Sequence, residues 1–317
     1  MKYARSDAKA YAKANMTGVW AAALTPFAEN LRIDEDGFRE NIRHWTQDLG
    51  IEGLFISGKQ GEFYAMTLEE RKRTFDLAVE ATGDHGQTIM SCSDQNMDVV
   101  LDLARHAEDV GADYIVVHAP LLHFTKEQDE TLYGYYRTIS ESVNIGIALW
   151  SHPDSGYLMS PQLANRLADL DNVVAIKYSV PRDMYVELSK LASDRIQVST
   201  SSEDEWLDNI LELDWRLYLC SSPPFLLQSP KDRRIHDYTQ AAFEGRADEA
   251  REISLSLEPV RTALKGTRPP EKPHAHQKYW QELLGQVGGR VRAPMLELTD
   301  AEKAITAEAF DQSGLQV

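Results

Sequence analysis

The sequence predicts an α/β fold, a (β/α)8 TIM barrel with a C-terminal helical extension. Three observations carry this. Eight short apolar, β-rich runs recur along the first 220 residues, helical patterns fill the gaps between them, and only helical stretches follow Pro223. The runs are Val19–Leu24, Gly53–Ser57, Thr88–Cys92, Tyr114–His118, Ile145–Trp150, Val173–Lys177, Ile196–Thr200 and Arg216–Cys220. They repeat at the roughly 28-residue spacing of one βα unit. Strands alternating with helices make a parallel sheet, and eight is the number that closes a barrel. A doubly wound open sheet is the competing arrangement, but no Gly-x-Gly-x-x-Gly follows the first run.

The helices announce themselves by their ends. Thr67-Leu-Glu-Glu70 is a capping box, in which hydroxyl and carboxylate satisfy free amides of the first turn. Ser160-Pro161 sets a capping hydroxyl before a proline at the first helical position. Between Asn96 and Glu108, Val99, Val100, Leu103, Ala104 and Ala107 fall at helical spacing and would cover a sheet. Beyond Pro223, helical stretches are expected over Asp232–Glu244, Ala247–Leu264 and His276–Leu284. A Pro-rich link, Thr267–Pro273, precedes the third, and a last helix starts at the capping box Thr299-Asp-Ala-Glu302. The Ala-rich start reads as one more helix. The expected division is an N-terminal helical arm over 1–17, a barrel over 18–225 and a C-terminal helical region over 226–317.

Composition narrows the function. Lys and Arg number 33 against 50 Asp and Glu, a net charge of −17. Nucleic acid and anionic membranes both require a basic footprint, so neither is an expected partner. The longest uncharged apolar run near the start is Val19–Leu24, far short of the ~20 residues of a membrane span. The first sixteen residues are charged throughout, so no secretory signal is expected. The two cysteines, Cys92 and Cys220, form no disulfide framework, which suits a cytoplasmic location.

Barrel enzymes carry their chemistry at the C-terminal ends of strands. Lys177 ends the run Asn172-Val-Val-Ala-Ile-Lys177, five neutral residues and then an amine. Desolvation favours the neutral amine, which is a Schiff-base nucleophile for a carbonyl substrate. A lysine that snorkels to solvent or pairs with an acid at the rim is the alternative. Gly58-Lys-Gln-Gly-Glu62 follows the second run; its glycines would let amides approach an oxyanion, with Lys59 adding charge. An ordinary glycine turn with an exposed lysine is the alternative there. His274 and His276 lack a third ligand and the spacing of a zinc site, so no metal is expected. Cys92 and Cys220 read as small barrel residues rather than nucleophiles.

The Gly-x-x-Gly loop and Lys177, in this order, resemble the dihydrodipicolinate synthase/N-acetylneuraminate lyase superfamily of class I lyases. The resemblance starts near Gly18 and includes Ala23-Leu-Thr-Pro-Phe27, Gly58-x-x-Gly-Glu-Phe63, Leu68-Glu-Glu-Arg71, Ala107–Asp113, Asn172–Lys177 and Gly289-Arg-Val-Arg-Ala-Pro294. It implies a homotetramer or homodimer, no cofactor, a small-molecule 2-oxo acid substrate, and Lys177 as the imine-forming residue.

Four departures define this chain. Lys59 and Gln60 stand where the family carries two hydroxyl residues. Leu149-Trp-Ser-His-Pro153 puts Trp150 in place of a proton-shuttling tyrosine, and indole has no titratable hydroxyl. Leu121-Leu122 replaces an aromatic pair, and Ser155 an arginine. The synthase's proton-relay set is therefore missing, and its reaction is not expected. Lys177-Tyr178 and Ser202-Glu-Asp204 lean toward the hydratase-aldolase branch, and an apolar pocket suits a bulky substrate tail. Tyr178 itself is expected to face away from the barrel interior. His152 is the candidate proton carrier, with His118 and His123 as rivals. Lys59 and Gln60 are expected to hold a carboxylate, and Trp150, Leu122 and Thr25 to line the substrate pocket. A sugar-acid dehydratase using the same imine, and a barrel that only binds a ligand, stay open as alternatives.

Overall fold

The structure, a computed structural model, describes residues 2–122, 128–220 and 223–317. Among them eight strands are formed: β1 (Gly18–Ala22), β2 (Gly53–Ile56), β3 (Gln87–Ser91), β4 (Tyr114–His118), β5 (Gly146–Ser151), β6 (Val173–Tyr178), β7 (Gln197–Ser199) and β8 (Leu217–Leu219). They share one sheet in the order β7-β6-β5-β4-β3-β2-β1-β8. Pairing is parallel from β3 through β7 and between β1 and β8. The two ends of that order meet, because Leu219 N of β8 donates to Ser199 Oγ of β7 at 2.8 Å. The fold is a (β/α)8 barrel, as the recurrence of apolar runs predicts. All six residues of β6 are buried, the near-continuous apolar run of a strand covered on both faces.

The chain divides into two compact units, Met1–Trp20 with Gln87–Cys220, and Ala21–Gly86 with Ser221–Val317. In the first unit the helices between strands are Met97–Asp109, Asp129–Ser142, Pro161–Leu167, Arg182–Ala192 and Trp206–Leu213. Asn96 and Ser160 cap two of them, accepting from Asp98 N and Leu163 N. A helix over Ala8–Asn15 precedes β1. In front of it, Tyr3 donates its hydroxyl to Asp113 O at 2.5 Å and accepts from Gly146 N at 2.8 Å. One phenol thereby ties the N-terminal arm to the starts of β4 and β5. Asn172 does similar work next door: it accepts from Ser140 Oγ at 2.6 Å and donates to Val143 O and Ile145 O.

The second unit holds β2, the helices Glu35–Arg43 and Leu68–Thr82, and the helices after Pro223. Both predicted capping boxes form, at Thr67/Glu70 and Thr299/Glu302. The stretch expected as one helix over Ala247–Leu264 is two, Ala247–Ser256 and Glu258–Gly266. Pro259 explains the break, since it lacks an amide and its ring clashes with the carbonyl four residues back. The helix expected from His276 begins at Pro273, so His274 lies in its first turn rather than in a link. Aromatic packing joins these helices: Trp45 stacks on Phe225 at 4.1 Å, and Trp280 meets Phe310 edge-on at 5.0 Å. Both indoles are satisfied, Trp45 by Gln286 Oε1 and Trp280 by Leu226 O.

These contacts set two expectations for stability. Asn172→Ala strands a buried hydroxyl and two carbonyls, and is expected to cost about 2–4 kcal/mol. Urea unfolding would show it as a lower midpoint at unchanged slope. Burial, with Arg268 nearby, lowers the His276 imidazole to a pKa of about 4, and His274 moves the same way. Unfolded histidine titrates near 6.5, so the unfolded chain takes up protons that the fold refuses. The stability present above pH 6.5 is therefore lost as pH falls toward 4. The urea midpoint is expected to drop between pH 7 and pH 5, and His276→Gln to shrink that drop.

Candidate active site

Within the first unit, strand register assembles a row of side chains at the C-terminal strand ends. His118 pairs with Trp150 across β4 and β5, Trp150 with Lys177 across β5 and β6, and Lys177 with Ser199 across β6 and β7. Register partners in a sheet face the same side, so these four residues project together. The side is the barrel interior, because Lys177 Nζ donates at 2.7 Å to the carbonyl of Cys220, just past β8.

Lys177 has no solvent exposure. Its Nζ lies 5.2 Å from the centroid of the Trp150 ring, itself buried. His118 packs edge-on against the same indole, with centroids 4.8 Å apart and planes at 85°. The amine and the imidazole are thus both organised by one indole. His118 is further fixed from both ends: its amide donates to Ser93 Oγ at 2.9 Å, and Nδ1 lies 2.7 Å from Ala119 O. A carbonyl only accepts, so Nδ1 carries the hydrogen and Nε2 is the basic nitrogen of the neutral ring.

The remaining candidates divide. His152, two residues past Trp150, returns to the same side, its ring 6.4 Å from that of His118. Its Nδ1 accepts from Asp154 N at 3.2 Å and caps the short helical turn Pro153–Ser155. Tyr178 points the other way, as alternation requires, and donates to Met159 O at 2.6 Å. Leu122 is half-buried in the segment after β4, and His123 lies outside the described residues. Cys92 and Cys220 are buried free thiols.

Thr25, Lys59 and Gln60 belong to the second unit. The loop after β2 leaves the strand through Ser57 at φ 52 and closes at Glu62 with φ 58. Its glycines serve local packing: a Cβ on Gly61 would stand 3.1 Å from Ala23 O and 3.2 Å from the Thr25 hydroxyl, and one on Gly58 3.1 Å from the Phe55 ring. Glu62 anchors the loop. It is fully buried, its Oε1 accepts from Lys278 Nζ at 2.6 Å, and its Oε2 accepts from Arg292 N at 3.0 Å. Lys278 also donates to Arg290 O, and the Lys278 and Arg292 cations lie 4.5 and 4.1 Å from the centroid of the Phe27 ring. Lys59 O in turn accepts from Glu62 N at 3.0 Å.

Sequence reasoning missed the Cys220 carbonyl, because a backbone acceptor leaves no signature in residue identity. It also missed Lys278, separated from Glu62 by 216 positions. Among the described residues, no cluster of three or more His, Cys, Asp or Glu could hold a metal, and no helix is long and apolar enough to cross a membrane. A cavity of about 330 Å³ sits at the opposite, N-terminal ends of β6 to β8, against Lys9, Arg195 and Trp215.

Residues 15–312 match the model of the dihydrodipicolinate synthetase family. The chain belongs to this family. A 4-hydroxy-tetrahydrodipicolinate synthase of Clostridium perfringens is 26% identical over 300 residues, covering 94% of this chain and 98% of the relative. A crystal structure of a dihydrodipicolinate synthase superposes with a TM-score of 0.81 at 26% identity, covering 95% of this chain and all of the other. YagE, a prophage protein of E. coli K12 solved in complex with pyruvate, shares the fold at a TM-score of 0.83 and 22% identity, over 95% of this chain and 99% of its own.

For this family member, the Glu62–Lys278 pair makes a direct prediction. Glu62→Gln leaves a buried ammonium without its counter-charge, and is expected to cost about 3–5 kcal/mol in urea unfolding. Pairing it with Lys278→Met should recover much of the loss, because an apolar replacement removes both charges together.

Proposed function

We propose that this protein is a Schiff-base-forming lyase of 2-oxo acids, of the retro-aldol or hydratase-aldolase type. Its substrate carries a bulky or apolar substituent, and its reaction is not that of dihydrodipicolinate synthase. The observation that carries this reading is the Lys177 amine, fully buried at a strand end, oriented by the Cys220 carbonyl and set over the Trp150 ring.

In its neutral form Lys177 Nζ attacks the substrate's keto carbon. The carbinolamine hydroxyl then takes a proton from an imidazolium and leaves as water, giving a protonated imine. That cation withdraws electrons from the adjacent carbon and makes the neighbouring C–C or C–O bond cleavable. The indole face supports a positive charge held over it, and does so more strongly than a phenol ring. Trp150 thus replaces a titrating group with a stabiliser of the iminium, and the acid–base work falls to a histidine. His152 is the sequence candidate and His118 the one held against the indole.

Lys59 and Gln60 take the substrate carboxylate. Thr25, Trp150 and Leu122 line the space for its tail, whose apolar character follows from Trp and Leu standing where the family carries polar aromatics. A homotetramer or homodimer in the cytoplasm, acting without cofactor, completes the reading.

Borohydride trapping tests it. Incubation with pyruvate or a panel of 2-oxo acids, followed by reduction and mass measurement, is expected to give one covalent adduct in the wild type and none in Lys177→Ala. Absence of an adduct with every 2-oxo acid overturns the imine mechanism.

A further inference from the structure

We infer that His118, through Nε2, is the acid–base residue that moves the proton on the carbon next to the imine. The inference rests on the Schiff-base reading and adds the group that reading lacks.

Three observations converge on it. First, His118 and Lys177 are the two register neighbours of Trp150, one on each flanking strand, and both touch its ring. A short carbon chain bound as an imine on Lys177 would lie along the indole, with its second carbon displaced toward β4, where the imidazole stands. Second, the tautomer is the one a base needs, since the Nδ1 hydrogen is committed to Ala119 O and the lone pair sits on Nε2. Third, His152 is held differently. Its Nδ1 accepts from Asp154 N as a helix cap, with Asp154 Oδ1 3.1 Å from the same nitrogen, its side chain is 28% exposed, and its ring packs beside His118. That arrangement makes His152 a neighbour of the proton carrier.

The step balances without any outside reagent. Nε2 takes a proton from the carbon adjacent to the iminium carbon. The electron pair of that C–H bond forms the C=C bond of an enamine, and the C=N pair moves to nitrogen and neutralises it. On pyruvate the imidazolium returns the proton to the same carbon. In cleavage the enamine forms instead as the C–C bonding pair moves into the iminium while Nε2 takes the proton of the hydroxyl on the departing carbon. The imidazolium then protonates the enamine carbon before water releases the 2-oxo acid from Lys177.

Deuterium exchange at the methyl group of pyruvate, followed by proton NMR, reads this step alone and needs no knowledge of the natural substrate. His118→Asn keeps a donor near the Nδ1 position and removes Nε2. The expected result is a borohydride adduct with pyruvate as in wild type, and methyl exchange slowed about 10²-fold or more. His118→Gln, which offers an amide nearer the Nε2 position, should be equally slow. Exchange within about threefold of wild type in both variants, with trapping intact, overturns the role of His118 and leaves the imine reading standing. Exchange lost in His152→Asn and kept in His118→Asn would hand the role to His152. A folded His118→Asn that no longer traps pyruvate would place the residue in imine formation and also overturn the proposal. A wild-type protein that forms no adduct with any 2-oxo acid and exchanges no methyl hydrogen defeats both readings at once.

Discussion

A primary amine sealed from water has to be held by something, and the way Lys177 is held organises everything around it. The Cys220 carbonyl takes one of its hydrogens, and the Trp150 face receives its charge. The Cys220 acceptor is in reach only because the sheet closes. Cys220 follows the last strand, and β8 is tied back to β7 through the Ser199 hydroxyl, the register partner of Lys177 itself. The strand that supplies the amine and the strand that supplies its acceptor are thus fixed through a single serine. Loosening that closure would move the acceptor away from the amine, and a buried amine without an acceptor carries the full cost of its lost hydration.

The second unit solves a similar problem with charge. Glu62 sits in a left-handed conformation at the end of the loop carrying Lys59 and Gln60, and its carboxylate meets Lys278 with neither side chain exposed. Such a pair contributes little net stability compared with apolar residues of similar size. What it offers is directionality, since few other partners inside the unit could neutralise that carboxylate. Arg292 extends the arrangement, with its amide on Glu62, its guanidinium forked onto Glu70 and its charge over Phe27. One loop end, one capping box and the segment after Gly289 are therefore locked to one another.

Much of this was legible in the residues, for reasons that differ element by element. A parallel barrel strand is buried on both faces, so Val173-Val-Ala-Ile announces β6 as an unbroken apolar run, and a lysine ending it is conspicuous because it contradicts its surroundings. Capping boxes carry their mechanism in two side chains three positions apart, and both form. The long C-terminal pattern misleads because amphipathic spacing runs on through Pro259, while backbone chemistry does not. The row at the strand ends was only half legible. Trp150, Lys177 and His118 stand out as residue types, but their adjacency depends on register, and register comes from hydrogen bonds between segments about 30 residues apart. The Cys220 carbonyl and Lys278 are beyond any local pattern.

The row has a consequence for how such a site can change. Each of its members comes from a different strand, anchored in its own backbone ladder, so the backbone fixes each position whatever side chain it carries. The strand that carries Lys177 keeps its register whatever residue occupies the Trp150 position beside it. The surroundings of the amine can therefore be rewritten one strand at a time, while the ladders that hold the row stay as they are.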